Sequence, residues 1–194
     1  MLTRLRNPKI LVPLILVGLV AVTVGLAAFQ PWRLFTSTTV DEALPTVASA
    51  ASPSASAQEE VEESAPAMTE AAQAAVDPVV LSTGTFISHE HTTEGTVRVL
   101  ELADGSRVLR IEGLDTSDGP DLKVWLTDAP VIDGEDGWRV FDDGAYVDLG
   151  SLKGNKGNQN YPIPADVDLA DLGSISIWCD RFDVSFGAAE LAPV

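Results

Sequence analysis

The chain has one cysteine, Cys179, among 194 residues. That scarcity excludes an intramolecular disulfide framework and any cysteine-rich zinc site. With no cysteine beside the N-terminal apolar run, a lipid-modified N-terminus is excluded too. Basic residues are also few: 12 Lys and Arg stand against 29 Asp and Glu, a net charge of -17. Such a surface repels nucleic acid, whose binding needs concentrated Lys and Arg, and it would avoid anionic lipid head groups. The only histidines are His89 and His91, and the only methionines Met1 and Met68. A phosphate-cradling glycine loop, a His-Glu-x-x-His zinc helix and a Gly-x-Ser-x-Gly nucleophile elbow are all missing. No motif marks the chain as a hydrolase or as any standard metal enzyme.

What is present falls into four segments. Residues 1–9 form a basic tail with Arg4, Arg6 and Lys9 and no acid. Residues 10–30 are an apolar run whose 20 uncharged residues from Ile10 to Phe29 make about 30 Å of helix, the thickness of a bilayer core. Pro13 is expected in the first turn of this helix, where its missing N–H is harmless. Gly18 and Gly25 are seven apart, so the GxxxG dimer signal is absent. Three cations precede the run and Arg33 alone follows it closely, which predicts a cytoplasmic N-terminus and an extracytoplasmic C-terminal domain. Trp32 and Phe35 suit the outer head-group level. The rival reading is a cleaved signal peptide, with Gly25 and Ala27 before the cut. An apolar run this long exceeds the ~7–15 residues of a signal peptide, which favours a single-pass anchor in the cell membrane.

Residues 31–78 read as an acidic Ala/Ser/Pro/Glu linker. From Thr36 to Pro78 there are 8 acidic, no basic and no aromatic residues, too little apolar surface to order the segment. It is expected to be a disordered tether with a root-mean-square span on the order of 35–40 Å, holding the next domain off the membrane. Its Ala-rich end, Met68 to Val76, reads as a short helix.

Residues 79–194 carry short strand patterns between Gly and Asp turns. Thr96–Leu102 and Arg107–Glu112 flank an Asp104-Gly105 hairpin signal. Asp121–Thr127 is a third strand, and Tyr146–Leu149 and Gly173–Phe186 supply later ones. The expectation is all-β: one antiparallel β-sandwich after a transmembrane helix and a linker. Within Ile175–Phe186, Ile175, Ile177 and Cys179 share one parity, while Phe182, Val184 and Phe186 share the other. Strand side chains alternate faces, so a bulge or corner at Asp180-Arg181 is predicted, with Ile177, Cys179, Phe182 and Val184 facing the core. A two-residue hairpin there is disfavoured, since Asp-Arg lacks the Gly or Asn that positive φ angles favour.

Several blocks in this region stand out: Gly84-Thr-Phe, His91 with Gly95-Thr-Val, and Gly119-Pro-Asp-Leu-Lys-Val-Trp-Leu126. Leu149-Gly-Ser-Leu-Lys-Gly154 runs into Asn158-Gln-Asn-Tyr161, and Ser176-Ile-Trp-Cys-Asp-Arg-Phe182 is followed by Phe186-Gly. Together they resemble the DM13 domain, also labelled electron-transfer DM13, and the last block is the most specific. The resemblance implies a β-sandwich and a characteristic cysteine with a proposed redox role, and any electron partner would be another molecule.

Cys179 is thus the candidate redox residue, cycling through sulfenic acid or a mixed disulfide with an envelope or redox partner. The plainer reading is a small buried hydrophobe beside Trp178. Arg181 would lower its pKa, Asp180 and Asp183 oppose that, and no resolving thiol exists. His89-x-His91 on a strand would aim both imidazoles to one face, and with Cys179 they make a copper-like ligand set. No His or Met follows Cys179 as blue-copper sites require. Copper or haem is the cofactor alternative that an absorption spectrum would reveal; otherwise no cofactor is expected. Acidic turns at Asp133–Asp136 and Asp142-Asp143 fit turn chemistry better than calcium. Lys153–Lys156 lies in a small basic, Gly/Asn-rich island, expected to be a long hairpin loop ending in Tyr-Pro-Ile-Pro.

Overall fold

Apolar residues on every side make helix α1, Pro8–Phe29, whose stretch Leu11–Phe29 has a mean hydropathy of 2.6 and exposed side chains. The computed structural model describes residues 8–46 and 77–194. The helix begins two residues earlier than expected, so Pro13 lies beyond its first turn. A 3-10 turn, Pro31–Phe35, follows and leads into strand β1, Thr39–Asp41. The disorder expected from Thr36 is therefore corrected at its head, because residues 39–41 complete a sheet edge. The Met68–Val76 helix lies outside the described residues.

The remaining strands are β2 (Val79–Thr85), β3 (Ile87–Ser88), β4 (Glu94–Glu101), β5 (Arg107–Asp115) and β6 (Leu122–Thr127). They continue with β7 (Tyr146–Ser151), β8 (Lys156–Ile163), β9 (Ser174–Cys179), β10 (Val184–Glu190) and β11 (Ala192–Pro193). One sheet has the order β1-β8-β5-β4-β2-β11 and the other β3-β10-β9-β6-β7. Every pairing is antiparallel except β1 with β8. The all-β expectation is met: this is a two-sheet sandwich preceded by one helix. The predicted hairpin at Asp104-Gly105 joins β4 to β5, closed by Leu102 N–H donating to the Ser106 carbonyl at 2.8 Å.

Alternation builds the core. Val97, Val99, Leu109, Ile111 and Tyr161 from one sheet meet Val124, Leu126, Ile175, Ile177 and Val184 from the other. Each fully buried aliphatic side chain contributes about 1.5–3 kcal/mol. Strand β9 is buried at all six positions, a pattern alternation alone does not produce. Its outer face is covered by residues 128–145, where Phe141 and Ala129 pack on Trp178 and Trp125.

The bent-strand expectation at Asp180-Arg181 is corrected. Residues 180–183 form a hairpin turn: Val184 pairs back with Cys179, and Phe182 N–H donates to the Cys179 carbonyl at 3.1 Å. Asp183 supplies the positive φ, at 50°. An Asp tolerates the left-handed region, so four residues do what Asp-Arg alone could not. A bulge does exist, but at Phe186, where the register shifts between Ser185 and Gly187. Phe182 does not face the core; it is 38% exposed and stacks on Phe29 of the helix, ring centroids 5.9 Å apart. The Lys153 island is likewise corrected. It is the crossover from β7 to β8, and Tyr161-Pro-Ile163 lies within strand β8.

Candidate functional site

Cys179 is the last residue of β9, held between Val184 of β10 and Leu122 of β6. Its side chain is 0% exposed and belongs to the intersheet core. Burial raises the thiol's pKa above its ordinary value, and the charge of Glu90 adds to that; the backbone amides of Arg181, Phe182 and Asp121 pull the other way. A raised pKa keeps the sulfur as a thiol rather than the nucleophilic thiolate. The turn that follows is pinned from a second side, since Asp180 N–H donates to the Asp121 carbonyl at 3.0 Å. Reaction at sulfur therefore requires the packing around Cys179 to open.

The two histidines do not share a strand face. Residues 89–91 are a bend after β3, and each ring goes its own way. His89 is 7% exposed, with Nδ1 2.8 Å from Ser185 Oγ and Nε2 3.2 Å from the Ile132 carbonyl. A carbonyl only accepts, so Nε2 carries the proton and Nδ1 accepts from the Ser185 hydroxyl. Ser176 Oγ donates to Ser185 Oγ at 2.9 Å, which completes a buried Ser176–Ser185–His89 chain. Burial lowers the His89 pKa, while the Ile132 carbonyl and Asp133 oppose that shift. His91 instead lies over Phe186, ring centroids 3.9 Å apart, with Glu90 Oε2 3.9 Å from its Nε2. Its pKa is also lowered by burial, with Glu90 acting against the shift.

Both His89 nitrogens are thus engaged within the protein. Among the described residues, no group of three or more His, Cys, Asp or Glu side chains is placed to hold a metal ion. What the structure brings together behind Trp178 is different. Tyr146 stacks on Trp125 at 4.0 Å between centroids, and Trp125 stacks on Trp178 at 4.9 Å. Phe141 meets Trp178 edge-on at 6.4 Å. Sequence reasoning missed this layer and the serines beside it. The visible signal was Ser174-Ile-Ser-Ile followed by Ser185: polar residues alternating with core residues, which ordinarily mark a solvated face.

These features define the class, a β-sandwich domain with a single core thiol at a hairpin end. The chain belongs to the DM13 family, described as electron transfer DM13, whose model matches residues 85–191. That match covers more than half of the chain and includes Cys179, His89 and His91. Comparison with curated proteins and with solved structures returned no match.

Proposed function

We propose that the protein is a membrane-anchored, extracytoplasmic redox accessory whose DM13 domain exchanges electrons with a separate envelope partner through Cys179. The observation that carries this reading is the electron-transfer family match across the block that holds the chain's only thiol. Opening of the 180–183 turn would release the sulfur from the core. Its proton would pass to water, and the thiolate would attack a partner disulfide. One mixed disulfide forms and one partner thiolate leaves, so sulfur and electrons balance. A small-molecule thiol then attacks the Cys179 sulfur and frees the fully reduced partner. A second one releases Cys179 as thiolate with formation of the small-molecule disulfide, so two electrons pass to the partner without a resolving cysteine in this chain. The apolar stretch Leu11–Phe29 and the Arg4, Arg6, Lys9 cluster before it support an anchor with its N-terminus inside.

Full burial of the thiol favours a second reading, a non-enzymatic envelope binding module in which Cys179 is a core residue. Thiol labelling separates the two. A redox thiol reacts with a maleimide in the native protein on the timescale of turn opening, and Cys179→Ser abolishes function while the fold persists. A core residue reacts only after denaturation, and Cys179→Ser leaves function in place.

A further inference from the structure

The Gly/Asn-rich island absorbs none of the redox reading, and its residues converge on strand β1. Thr38 N–H donates to Asn155 Oδ1 at 2.7 Å, and Lys156 N–H donates to the Thr38 carbonyl at 3.2 Å. Thr39, Val40 and Asp41 then pair in parallel with Lys156, Gly157 and Asn158. Asn158 Nδ2 donates to Asp41 Oδ1 at 2.6 Å, and Glu42 N–H donates to the Asn158 carbonyl at 2.9 Å. The Glu42 carboxylate is taken by Lys153 Nζ at 2.7 and 3.0 Å and by the Asn160 backbone N–H at 2.7 Å. Arg110, only 5% exposed, donates from Nη1 to the Glu42 and Ala43 carbonyls at 3.1 Å each.

Two glycines make room for this strand. A Cβ on Gly157, whose φ is +97°, would lie 2.1 Å from the Val40 carbonyl oxygen. One on Gly154 would lie 2.5 Å from the Thr38 oxygen. The acceptor, Lys153 to Asn160 with Arg110, lies inside the family match, whereas the strand it holds lies outside it. Strand addition of this kind draws affinity from main-chain hydrogen bonds and selectivity from side-chain contacts. The charge-assisted contacts at Glu42 are the stronger ones.

We propose that Lys153–Asn160 and Arg110 form a binding site for an extended acidic peptide, filled by the chain's own residues 38–43 independently of the covalent connection through residues 47–76. The domain is then held to the helix-bearing segment by two attachments, one covalent and one not. This inference does not rest on the redox reading or on retention of the helix, because the strand begins beyond Phe29.

The test uses the full chain in detergent with a protease site inserted within residues 47–76 and an affinity tag at the C-terminus. After cleavage, the captured C-terminal fragment should retain most of the N-terminal fragment that bears β1. Glu42→Arg reverses the charge facing Lys153, and Glu42→Pro removes the N–H given to Asn158. Each should reduce retention at least tenfold, while the near-ultraviolet circular dichroism of the domain stays unchanged. Both substitutions lie in residues 38–43 rather than in the matched domain, so they leave the acceptor intact; Gly157→Val, which closes the space for Val40, should lower retention as well. Release of the N-terminal fragment from the cleaved native protein overturns the proposal. So does equal retention by the native chain and the Glu42 variants.

Discussion

At Cys179 two physical demands conflict. A sulfur among Leu122, Val184 and Ile177 stabilises the core, whereas redox chemistry needs a thiolate that a partner can reach. Cys179→Ser puts a hydroxyl in that apolar seat, and it should cost about 1–3 kcal/mol, read from the urea midpoint. His89 gives a pH test. Its folded pKa is lowered, so the unfolded chain binds the proton more readily below about 6.5. Its contribution to stability is thus complete above that value and is lost as pH falls through it, levelling off below the folded pKa. His91, lowered in the same direction, adds to the trend. Proton NMR titration should place the His89 midpoint below about 6.5, and His89→Gln should flatten the pH dependence of Tm in that window.

The β9–β10 hairpin is the element on which the candidate site turns. Its parity break was legible, because Ile177 and Cys179 alternate against Val184 and Phe186. Its cause was not, since the same parity change follows from a bulge or from a turn of the right length. The turn depends on Asp183 at a φ of 50°. Asp183→Val should therefore destabilise by about 1–2 kcal/mol, whereas Asp183→Gly should be neutral or stabilising, as chemical denaturation would show. Asp183→Val should also speed native thiol labelling of Cys179 if the turn gates the sulfur. An unchanged labelling rate in a folded variant would remove the turn from the mechanism.

For the whole molecule, β1 changes how the domain relates to its helix. Only residues 36–38 separate the 3-10 turn from β1, and Arg33 Nη1 bonds the Gly119 carbonyl at 3.1 Å beside Asp118. The segment between the helix and β1 is therefore held against the domain at Arg33 and again at Thr39–Asp41. If the helix is an anchor, the full-length chain should stay in the membrane fraction after alkaline carbonate washing at its uncleaved mass. A soluble product shortened after residue 25–29 would identify a signal peptide instead.

Composition and pattern alone determined the apolar helix, the two-sheet class, the Asp104-Gly105 hairpin and burial of Cys179. These follow from local alternation and from the free energy of hiding apolar side chains, which any fold of this chain must satisfy. The fate of polar residues was decided only by tertiary structure. Ser176, Ser185 and His89 carry no local sign that residues 128–145 cover their face. Thr39–Asp41 look like linker because a three-residue strand has no apolar pattern of its own. Its order comes from partners more than a hundred residues away: Asn155, Gly157, Asn158 and Asn160, with Lys153 on Glu42. Hydrogen bonds that close so far along the chain leave their donors and acceptors looking solvent-bound until the sheet assembles.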